Sequence, residues 1–281
     1  MTIDIICPLY NAENDIKSLH ESLIMQKNVE INKIRYVLTE SQDKTEEILK
    51  KMQIEYKKIK RDEFSHSLTR EKEAFESNAD ILVFITQDIK IKRDDWLYYL
   101  TRNIIDGTVE ACYSRQLCNN TTIEKYTREY NYPNKSKIVE QEDIKRIGLK
   151  AFFFSDASSA IRRETFVKLH GYDGKIFPTN EDMYIAYKLI TNGYKIRYCA
   201  ESEVVHSHQF TLKQYYKRYK DTGKFFKQNS YLNKYKVNQS GGSLAIYVLK
   251  RAWQDKNYNV LIEFIPNMIT RFMGMKLGKI M

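Results

Sequence analysis

The sequence predicts an α/β protein in which a mostly parallel sheet lies between helices. Two observations carry this prediction. Segments with strand and helix patterns alternate through the first 210 residues, and this order is typical of parallel strands joined by right-handed crossovers. The segment ILVFITQD at 81–88 also opens with an unbroken run of Ile, Leu, Val and Phe. Such a run suits a strand that helices cover on both faces.

The other elements follow from local patterns in chain order. A strand at 3–10 precedes a helix at 11–26, whose spacing turns Ile16, Leu19, Leu23 and Ile24 inward. The further predicted segments are a strand at 33–40, a helix at 44–52, a short strand at 55–60, a helix at 68–75, the strand at 81–88, an aromatic strand at 152–154 and an extended segment at 195–205. Gly193 ends the helix before that last segment.

Composition narrows the classes of protein to be considered. A chain of 281 residues can bury a large core. Its first residues, MTIDIICPLYN, lack the basic flank and apolar stretch of a secretory signal, and no run of 18 apolar residues suits a membrane span. The four cysteines are scattered, so we expect reduced thiols of a cytosolic protein. Neither G-x-G-x-x-G nor G-x-x-x-x-G-K occurs, so the usual dinucleotide and ATPase phosphate loops are excluded.

The positive charge is concentrated in the C-terminal part of the chain. Residues 211–281 carry 14 Lys or Arg against three acids, whereas the remainder carries 32 basic and 33 acidic residues. This basic part also contains the apolar stretches SLAIYVL at 243–249 and NVLIEFIPNMITRFM at 259–273. A basic amphipathic segment suits an anionic membrane surface. A helical extension that packs its apolar side on the main domain explains the pattern equally well.

Polar residues follow each of three predicted strands. Those after the first are Pro8, Tyr10 and Asn11, those after the second are Glu40, Ser41 and Asp43, and those after the long strand are Gln87 and Asp88. The carboxyl ends of parallel strands meet at one sheet edge, where open α/β sheets bind ligands. Each cluster alone is compatible with a helix cap or a turn, but their coincidence predicts a binding crevice.

Two histidines follow the extended segment at 195–205. His206 and His208 flank one residue, so both imidazoles share a face if the chain is extended. Two histidines near a carboxylate can bind a transition metal. The alternative is that one of them, which we expect to be His208, only makes a structural hydrogen bond.

Six short segments occur in an order that is more specific than any one of them. They are PLYN at 8–11, EFSHSLTR at 63–70, TQDIKIKRDDWL at 86–97, SSAIRRETFVKLHGYD at 158–173, NEDMYIAYKLITNGYKI at 180–196 and VVHSHQFTLKQYYKRYKDTG at 204–223. In this order they resemble the motifs of family 2 glycosyltransferases of the GT-A fold, and within that family the bacterial rhamnosyltransferases that use dTDP-L-rhamnose. We therefore expect a GT-A domain with a Rossmann-like sheet at 1–225 and a basic amphipathic helical extension at 226–281.

The resemblance implies a donor site that depends on a divalent metal. Asp88 matches the last acid of the family's D-x-D motif, here T-Q-D, and would hold Mg²⁺ or Mn²⁺ against the donor diphosphate. His66 and Arg70 match the F-x-H-G-x-T-R-N segment, although Ser67 replaces its Gly and Glu71 its Asn. The residues expected at the donor are Pro8, Tyr10, Asn11, Glu40, His66, Arg70, Gln87, Asp88 and Arg218, and the expected metal ligands are Asp88, His206 and His208.

The resemblance also implies inverting transfer with one general base. Asp182 takes that role and would remove the proton of the acceptor hydroxyl. From the residues alone, a helix capped by Thr179 or Asn180, with its dipole, explains Glu181 and Asp182 as well. The residues expected on the acceptor side are Asp156, Ser158 and Glu181, and a turn role for Asp156 fits equally.

The predicted activity is transfer of L-rhamnose from dTDP-rhamnose to a lipid-linked precursor of a surface polysaccharide. The protein would lie in the cytoplasm, peripheral at the anionic inner face of the plasma membrane. A UDP-hexose donor is the alternative within this class. An alternative from another class is a single-stranded nucleic-acid binder, because aromatic and basic residues interleave at 216–236. The near-neutral charge of the first 210 residues argues against nucleic acid as a partner.

Overall fold

The computed structural model describes residues 1–235 and 240–281, and residues 236–239 of the predicted extension lie outside this range. Nine strands form one sheet. They are β1 (Thr2–Leu9), β2 (Glu30–Thr39), β3 (Tyr56–Ile59), β4 (Ile81–Ile85), β5 (Lys90–Ile91), β6 (Ala111–Leu117), β7 (Lys137–Val139), β8 (Ser158–Arg162) and β9 (Ile196–Val205).

Eleven α-helices lie within the described residues. They are α1 (Ile16–Ile24), α2 (Thr45–Lys51), α3 (His66–Glu76), α4 (Trp96–Ile105), α5 (Ile123–Asn131), α6 (Asp143–Ile147), α7 (Arg163–Lys168), α8 (Glu181–Thr191), α9 (Leu212–Gln228), α10 (Ser240–Gln254) and α11 (Tyr258–Ile280). Short 3-10 helices lie at Gly148–Phe152 and Ser230–Lys234.

The sheet combines a parallel half with a mixed half. Its order is β3-β2-β1-β4-β8-β6-β9-β5, and β7 pairs with the first residues of β9. Strands β1 to β4 are parallel, β8 runs antiparallel to both β4 and β6, and β9 is parallel to β6. The carboxyl ends of β1, β2, β4 and β9 therefore share one edge. The predicted α/β class is confirmed.

Helices cover the sheet on both faces, as the apolar run of β4 predicts. All five residues of β4 are buried. Ile81, Val83 and Ile85 face a core that includes α1, α2 and α4, whereas Leu82 and Phe84 face a core that includes α3, α7 and α8. The alternation along the strand thus places successive side chains in two separate cores.

Two predictions about local structure are wrong. Ile24 is 60% exposed, because α1 ends at this residue and the buried face stops at Leu23. The aromatic segment 152–154 is not a strand, since Phe152 ends a 3-10 helix and the next residues form a loop. Phe152 instead packs edge-on against Tyr187, with ring centroids 5.3 Å apart. Phe152 is fully buried, because this turn packs its ring into the core that includes α8.

The C-terminal helix α11 packs lengthwise along α9 through glycines. A Cβ added at Gly223 would lie 2.4 Å from the carbonyl oxygen of Met275, and one at Gly278 would lie 2.0 Å from that of Lys220. Gly274 is similarly close to Tyr216. The two backbones can therefore approach only because these positions lack side chains. Among the described helices, none is both long and apolar enough to cross a membrane.

Candidate functional site

A cleft of about 600 Å³ opens at the shared carboxyl edge of the strands. It begins where β1 and β4 end and is closed on one side by the segment that follows β9. Twelve of the predicted site residues line it: Pro8, Tyr10, His66, Arg70, Gln87, Asp88, Asp156, Glu181, Asp182, His206, His208 and Arg218. The parallel topology brings these residues together from across some 200 positions of sequence, as the strand-end clusters predict.

Three predicted residues lie outside the lining of this cleft. Asn11 has its side-chain oxygen 3.0 Å from the backbone N–H of Gln42, which donates to it. Glu40 is exposed beyond the end of β2. Ser158 is fully buried within β8, and its hydroxyl lies 2.6 Å from that of Ser114. These positions connect loops or strands rather than face the cleft.

Gln87 connects the ends of β1 and β4. The backbone N–H of Tyr10 donates to its side-chain oxygen at 2.7 Å, and its amide nitrogen donates to the Tyr10 carbonyl at 2.9 Å. The amide thus pairs with one backbone position as a neighbouring strand would. Gln87 therefore links β1 and β4 at the base of the cleft, where the donor is predicted to bind.

Asp88, His206 and His208 form a compact cluster on the cleft wall. One ligand atom from each lies within 4.8 Å of the others. The Asp88 Oδ2 atom is 3.4 Å from His206 Nε2 and 3.7 Å from His208 Nδ1. The imidazole rings meet edge to face, with centroids 4.4 Å apart. One carboxylate and two imidazoles at these distances can converge on a divalent cation.

The protonation states of the cluster suit metal binding at neutral pH. Burial would raise the pKa of Asp88, but the hydrogen bond and charge of His206 outweigh burial and lower that pKa well below its ordinary value. Burial, aided by His206, lowers the pKa of His208 to about 4. A carboxylate and a neutral imidazole are the forms that bind metals, so these two residues require no further proton loss.

Gln116, which the sequence patterns did not single out, orients His206. Its side-chain oxygen lies 2.9 Å from His206 Nδ1, and its amide nitrogen donates to Ser155 Oγ at 2.7 Å. An acceptor at Nδ1 keeps a proton on that nitrogen, so Nε2, which faces Asp88, is the nitrogen available to a metal ion. His206, and not His208 as expected, therefore makes the side-chain hydrogen bond. His208 instead stacks on Phe210, with centroids 4.8 Å apart.

Arg70 and Glu181 form a buried ion pair beside the cluster. Arg70 is 2% exposed, and its Nη1 atom donates to Glu181 at 3.4 Å and to the His66 carbonyl at 2.9 Å. Burial opposes the charge on Arg70, but Glu181 and Asp156 outweigh it and raise the pKa of the guanidinium. Arg70 thus supplies a fixed positive charge beneath the cleft.

Asp182 is a half-buried residue at the start of α8. Burial, reinforced by the nearby carboxyl groups of Glu181 and Asp156, raises the pKa of Asp182 well above its ordinary value. Asn180 is the N-cap residue, in a left-handed conformation with φ of 64°, but its side chain makes no capping hydrogen bond. The side-chain hydrogen bond expected of a cap is therefore absent at Asn180, although this residue does occupy the N-cap position. The turn places Asp182 in the lining of the cleft.

Asp156 is held on both carboxylate oxygens. Ser159 Oγ donates to one at 2.8 Å, and the Tyr172 hydroxyl donates to the other at 2.7 Å. Burial raises the pKa of Asp156, although Arg70 acts in the opposite direction. Because two protein groups donate to it, the Asp156 carboxyl group has a strong structural role. Asp156 also borders the cleft.

The departures from the family motif at Ser67 and Glu71 have structural partners. Ser67 donates to the Lys175 carbonyl at 2.6 Å. Glu71 accepts from the backbone N–H of Gly174 at 3.1 Å and also from that of Tyr172. Both residues therefore hold the loop between α7 and α8 that leads to Asp182.

Nine residues beyond the predicted site residues also line the cleft, among them Thr39, Arg61 and Phe64. Thr39 ends β2, and its buried hydroxyl has no hydrogen-bond partner among the described residues. Arg61 follows β3 and lies 5.4 Å from the centroid of the Tyr10 ring, and Phe64 lies nearby in the same wall. The strand-end rule that identified the other clusters applies equally to Thr39 and Arg61.

Comparison with known proteins places this geometry in a family. The family model described as Glycosyl transferase family 2 matches residues 4–169. The O-antigen chain rhamnosyltransferase RfbN of Salmonella typhimurium is 29% identical over 284 residues, covering 99% of this chain and 90% of that protein. The O-antigen chain rhamnosyltransferase WbaN of Salmonella anatum is 33% identical over 221 residues, covering 77% and 70% respectively.

Solved structures of low sequence identity share the fold. The mannosyltransferase PcManGT from Pyrobaculum calidifontis, in complex with GDP-Man and Mn²⁺, has a TM-score of 0.62 at 14% identity and covers 99% of this chain and 86% of that one. Residues 1–349 of S. aureus TarS give a TM-score of 0.59 at 15% identity, with 99% and 81% covered. This chain covers 39% of a longer TarS structure, at a TM-score of 0.55 and 16% identity, with 79% of this chain covered. The protein has the GT-A fold, and the chain belongs to glycosyl transferase family 2, in its rhamnosyltransferase branch.

Proposed function

We propose that this glycosyltransferase moves L-rhamnose from dTDP-rhamnose to a hydroxyl group of a lipid-linked surface polysaccharide precursor, with inversion at the anomeric carbon. One observation carries the proposal: a single cleft contains the Asp88, His206 and His208 cluster and, separately, the carboxyl group of Asp182. The first suits a donor diphosphate and the second an acceptor hydroxyl. The choice of rhamnose follows from the names of the two Salmonella relatives.

The cluster fits Mn²⁺ better than Mg²⁺. Mg²⁺ prefers oxygen ligands, whereas imidazole nitrogens suit transition metals. When bound, the ion would neutralise charge on the departing diphosphate. Asp88 would contribute a carboxylate. Gln116 would hold His206 in the tautomer that can bind the metal, and stacking on Phe210 would fix the orientation of the His208 ring.

Asp182 would act as the general base. The acceptor hydroxyl oxygen forms a bond to the anomeric carbon, the bond from that carbon to the diphosphate oxygen breaks, and the hydroxyl proton moves to the Asp182 carboxylate. A carboxylate whose pKa is raised binds that proton more strongly than an ordinary aspartate does. The Arg70 and Glu181 pair fixes the start of α8 and so the position of Asp182.

The other predicted site residues divide by their position. We assign donor contacts to Pro8, Tyr10, His66 and Arg218, which line the cleft, and a supporting role to Asn11, which fixes the neighbouring loop. We retain 1–225 as the catalytic domain and 226–281 as the extension.

The extension would hold the protein at an anionic membrane. Ile262, Ile265, Ile269 and Phe272 recur every three or four residues on α11, and each is more than half exposed. Exposed Lys276 and Lys279 follow them. The opposite face of the same helix is buried against α9 and α10. An exposed apolar stripe with adjoining lysines suits insertion among anionic lipid headgroups, beside a lipid-linked acceptor.

The test is turnover and binding of dTDP-rhamnose, UDP-glucose, UDP-galactose and UDP-N-acetylglucosamine with Mn²⁺, with Mg²⁺ and without metal. We expect turnover of dTDP-rhamnose that requires metal and is lost in Asp88→Asn. Asp182→Asn should keep donor binding but lower turnover by about 10²–10⁴-fold. Asp94→Asn, at an exposed ion pair, is the matched control. Turnover of a UDP-sugar alone would contradict the rhamnose assignment, and binding of none would contradict the function.

A further inference from the structure

A second cavity of about 310 Å³ adjoins the cleft and shares part of its lining. It is bounded by α5, the segment 152–155, the start of α8, α9 and the C-terminal helix α11. Five residues border both cavities: Ser155, Asn180, Asp182, His206 and Arg218. A molecule in the second cavity can therefore present a hydroxyl group to Asp182.

Aromatic and polar side chains share the walls of this cavity. The aromatic residues that line it are Tyr132, Phe152, Phe153, Phe154, Phe210, Tyr215 and Tyr219. Aromatic faces interleaved with polar groups suit sugar rings and other amphipathic ligands. The cavity thus suits a saccharide better than it suits a nucleotide diphosphate alone.

Arg271 brings a positive charge from α11 into this aromatic cavity. Its side chain is 8% exposed and lines the cavity. The Nη1 atom donates to the Tyr219 hydroxyl at 3.1 Å, and the guanidinium lies 4.5 Å from the centroid of the Tyr215 ring. Its Nε atom is buried with no hydrogen-bond partner among the described residues, and its partners there are the two tyrosines rather than a carboxylate. A buried guanidinium without a counter-ion is costly.

The other charges around the cavity do not neutralise Arg271. Arg128, which also lines it, is paired with Glu124 at 2.8 Å. Arg218 adds a second positive charge, and its guanidinium lies 5.4 Å from the centroid of the Phe210 ring. Asp182 is the remaining acid in the lining, so three arginines face two acids. The cavity therefore has an excess of positive charge.

We propose that the second cavity is the acceptor site and that Arg271 binds a phosphate of the acceptor's diphosphate group, while the aromatic walls hold the attached sugar. This inference rests on the proposed function for the identity of the acceptor. Arg271 can make paired hydrogen bonds to phosphate oxygens through its planar guanidinium. The exposed apolar stripe lies on the opposite face of the same helix, so α11 would link the membrane surface to the diphosphate of a lipid-linked substrate.

The test uses farnesyl diphosphate, which carries the diphosphate and isoprenoid but no sugar. Binding is measured by calorimetry in EDTA, so that the metal-dependent donor site does not contribute. We expect Arg271→Met to weaken binding by about tenfold or more and Arg271→Lys to weaken it less, because a charge without the planar fork remains. Lys17→Met makes the same change in net charge at an exposed residue of α1 and should have no effect.

Three outcomes would overturn the proposal. They are failure of the wild-type protein to bind farnesyl diphosphate, equal binding of uncharged farnesol, and equal affinity of wild type and Arg271→Met. Tyr219→Phe removes only the hydroxyl that receives the Arg271 hydrogen bond, and it should weaken binding by a smaller factor. This variant tests the proposal even if Arg271→Met does not fold. None of these measurements involves the sugar donor, so failure here leaves the donor turnover test of the proposed function standing.

Discussion

Asp182 shows how one side chain can be adapted to catalysis at a cost in stability. Its carboxyl group lies against Glu181 and Asp156, and burial with these neighbours raises its pKa. A carboxyl group whose pKa is raised by folding favours the folded state only while protonated. This contribution is complete below the ordinary pKa of aspartate and is lost as pH rises through the raised pKa.

We therefore expect Asp182→Asn to raise the melting temperature in EDTA at pH 8, with the difference from wild type shrinking toward pH 4. Thermal unfolding monitored across this range checks the prediction. Asp94→Asn provides a control of opposite sign, because the hydrogen bond from Lys27 lowers the pKa of Asp94, and at neutral pH its loss should not stabilise. Identical pH profiles for Asp182→Asn and wild type would show that Asp182 ionises freely.

Gln116 acts on the metal site through His206. Gln116→Met removes the acceptor for the Nδ1 proton of His206, and we expect it to weaken Mn²⁺ binding by about 10–100-fold. Gln116→Glu keeps an oxygen acceptor at this position and should retain most of the affinity. Both constants can be measured by titration of the Mn²⁺ electron paramagnetic resonance signal. Equal weakening by the two substitutions would contradict the orienting role and indicate disturbed packing.

At the scale of elements, the contact between α9 and α11 depends on glycine. We expect Gly278→Ala to destabilise the protein by about 1–3 kcal/mol, because its Cβ would lie 2.0 Å from the Lys220 carbonyl oxygen. Gly242→Ala is a matched control within α10, where nothing lies within 4 Å of an added Cβ, and it should stabilise by about 0.5–1 kcal/mol. Chemical denaturation measures both. A harmless Gly278→Ala would mean that the helices are further apart than described.

The exposed stripe of α11 makes a second prediction about an element. Combined Ile262→Ser, Ile265→Ser and Ile269→Ser substitutions should weaken binding to phosphatidylglycerol-containing vesicles by at least about tenfold, since each buried isoleucine contributes about 1.5–3 kcal/mol. Vesicle co-sedimentation measures this. The control replaces Ile24, Met25 and Ile176, which are 60%, 65% and 66% exposed elsewhere, with serine. Vesicle binding that survives the first set, or is lost equally with the second, would contradict membrane insertion by α11.

For the molecule as a whole, local sequence patterns predicted those parts of the site that depend on local order. The apolar run of β4 and the polar residues after β1 and β4 identified Tyr10, Gln87 and Asp88, because parallel strands bring their carboxyl ends together by rule. Gln116 was not predicted, since its place beside His206 depends on β6 pairing with β9, some 80 residues away. Nor was Arg271, which reaches the second cavity only because α11 folds back along α9.

The packing of α9 also distinguishes the glycosyltransferase hypothesis from the nucleic-acid hypothesis. The aromatic residues of α9 are buried or half-buried and do not form a free surface of the kind that stacks nucleic-acid bases. Tyr215 and Phe225 are buried, and α9 is covered along its length by α11. With rhamnosyltransferase relatives that cover most of the chain, the nucleic-acid hypothesis is not favoured.

The most direct test of the whole arrangement is pulsed electron paramagnetic resonance of the protein with Mn²⁺ and dTDP. Coordination by Asp88, His206 and His208 predicts ¹⁴N couplings from two imidazoles and, once dTDP is added, ³¹P couplings from the diphosphate in the same centre. Loss of the nitrogen couplings in His206→Ala and His208→Ala would confirm the ligands. A Mn²⁺ centre that shows ³¹P coupling without any ¹⁴N coupling would contradict the proposed metal site, because the donor would then be held elsewhere in the cleft.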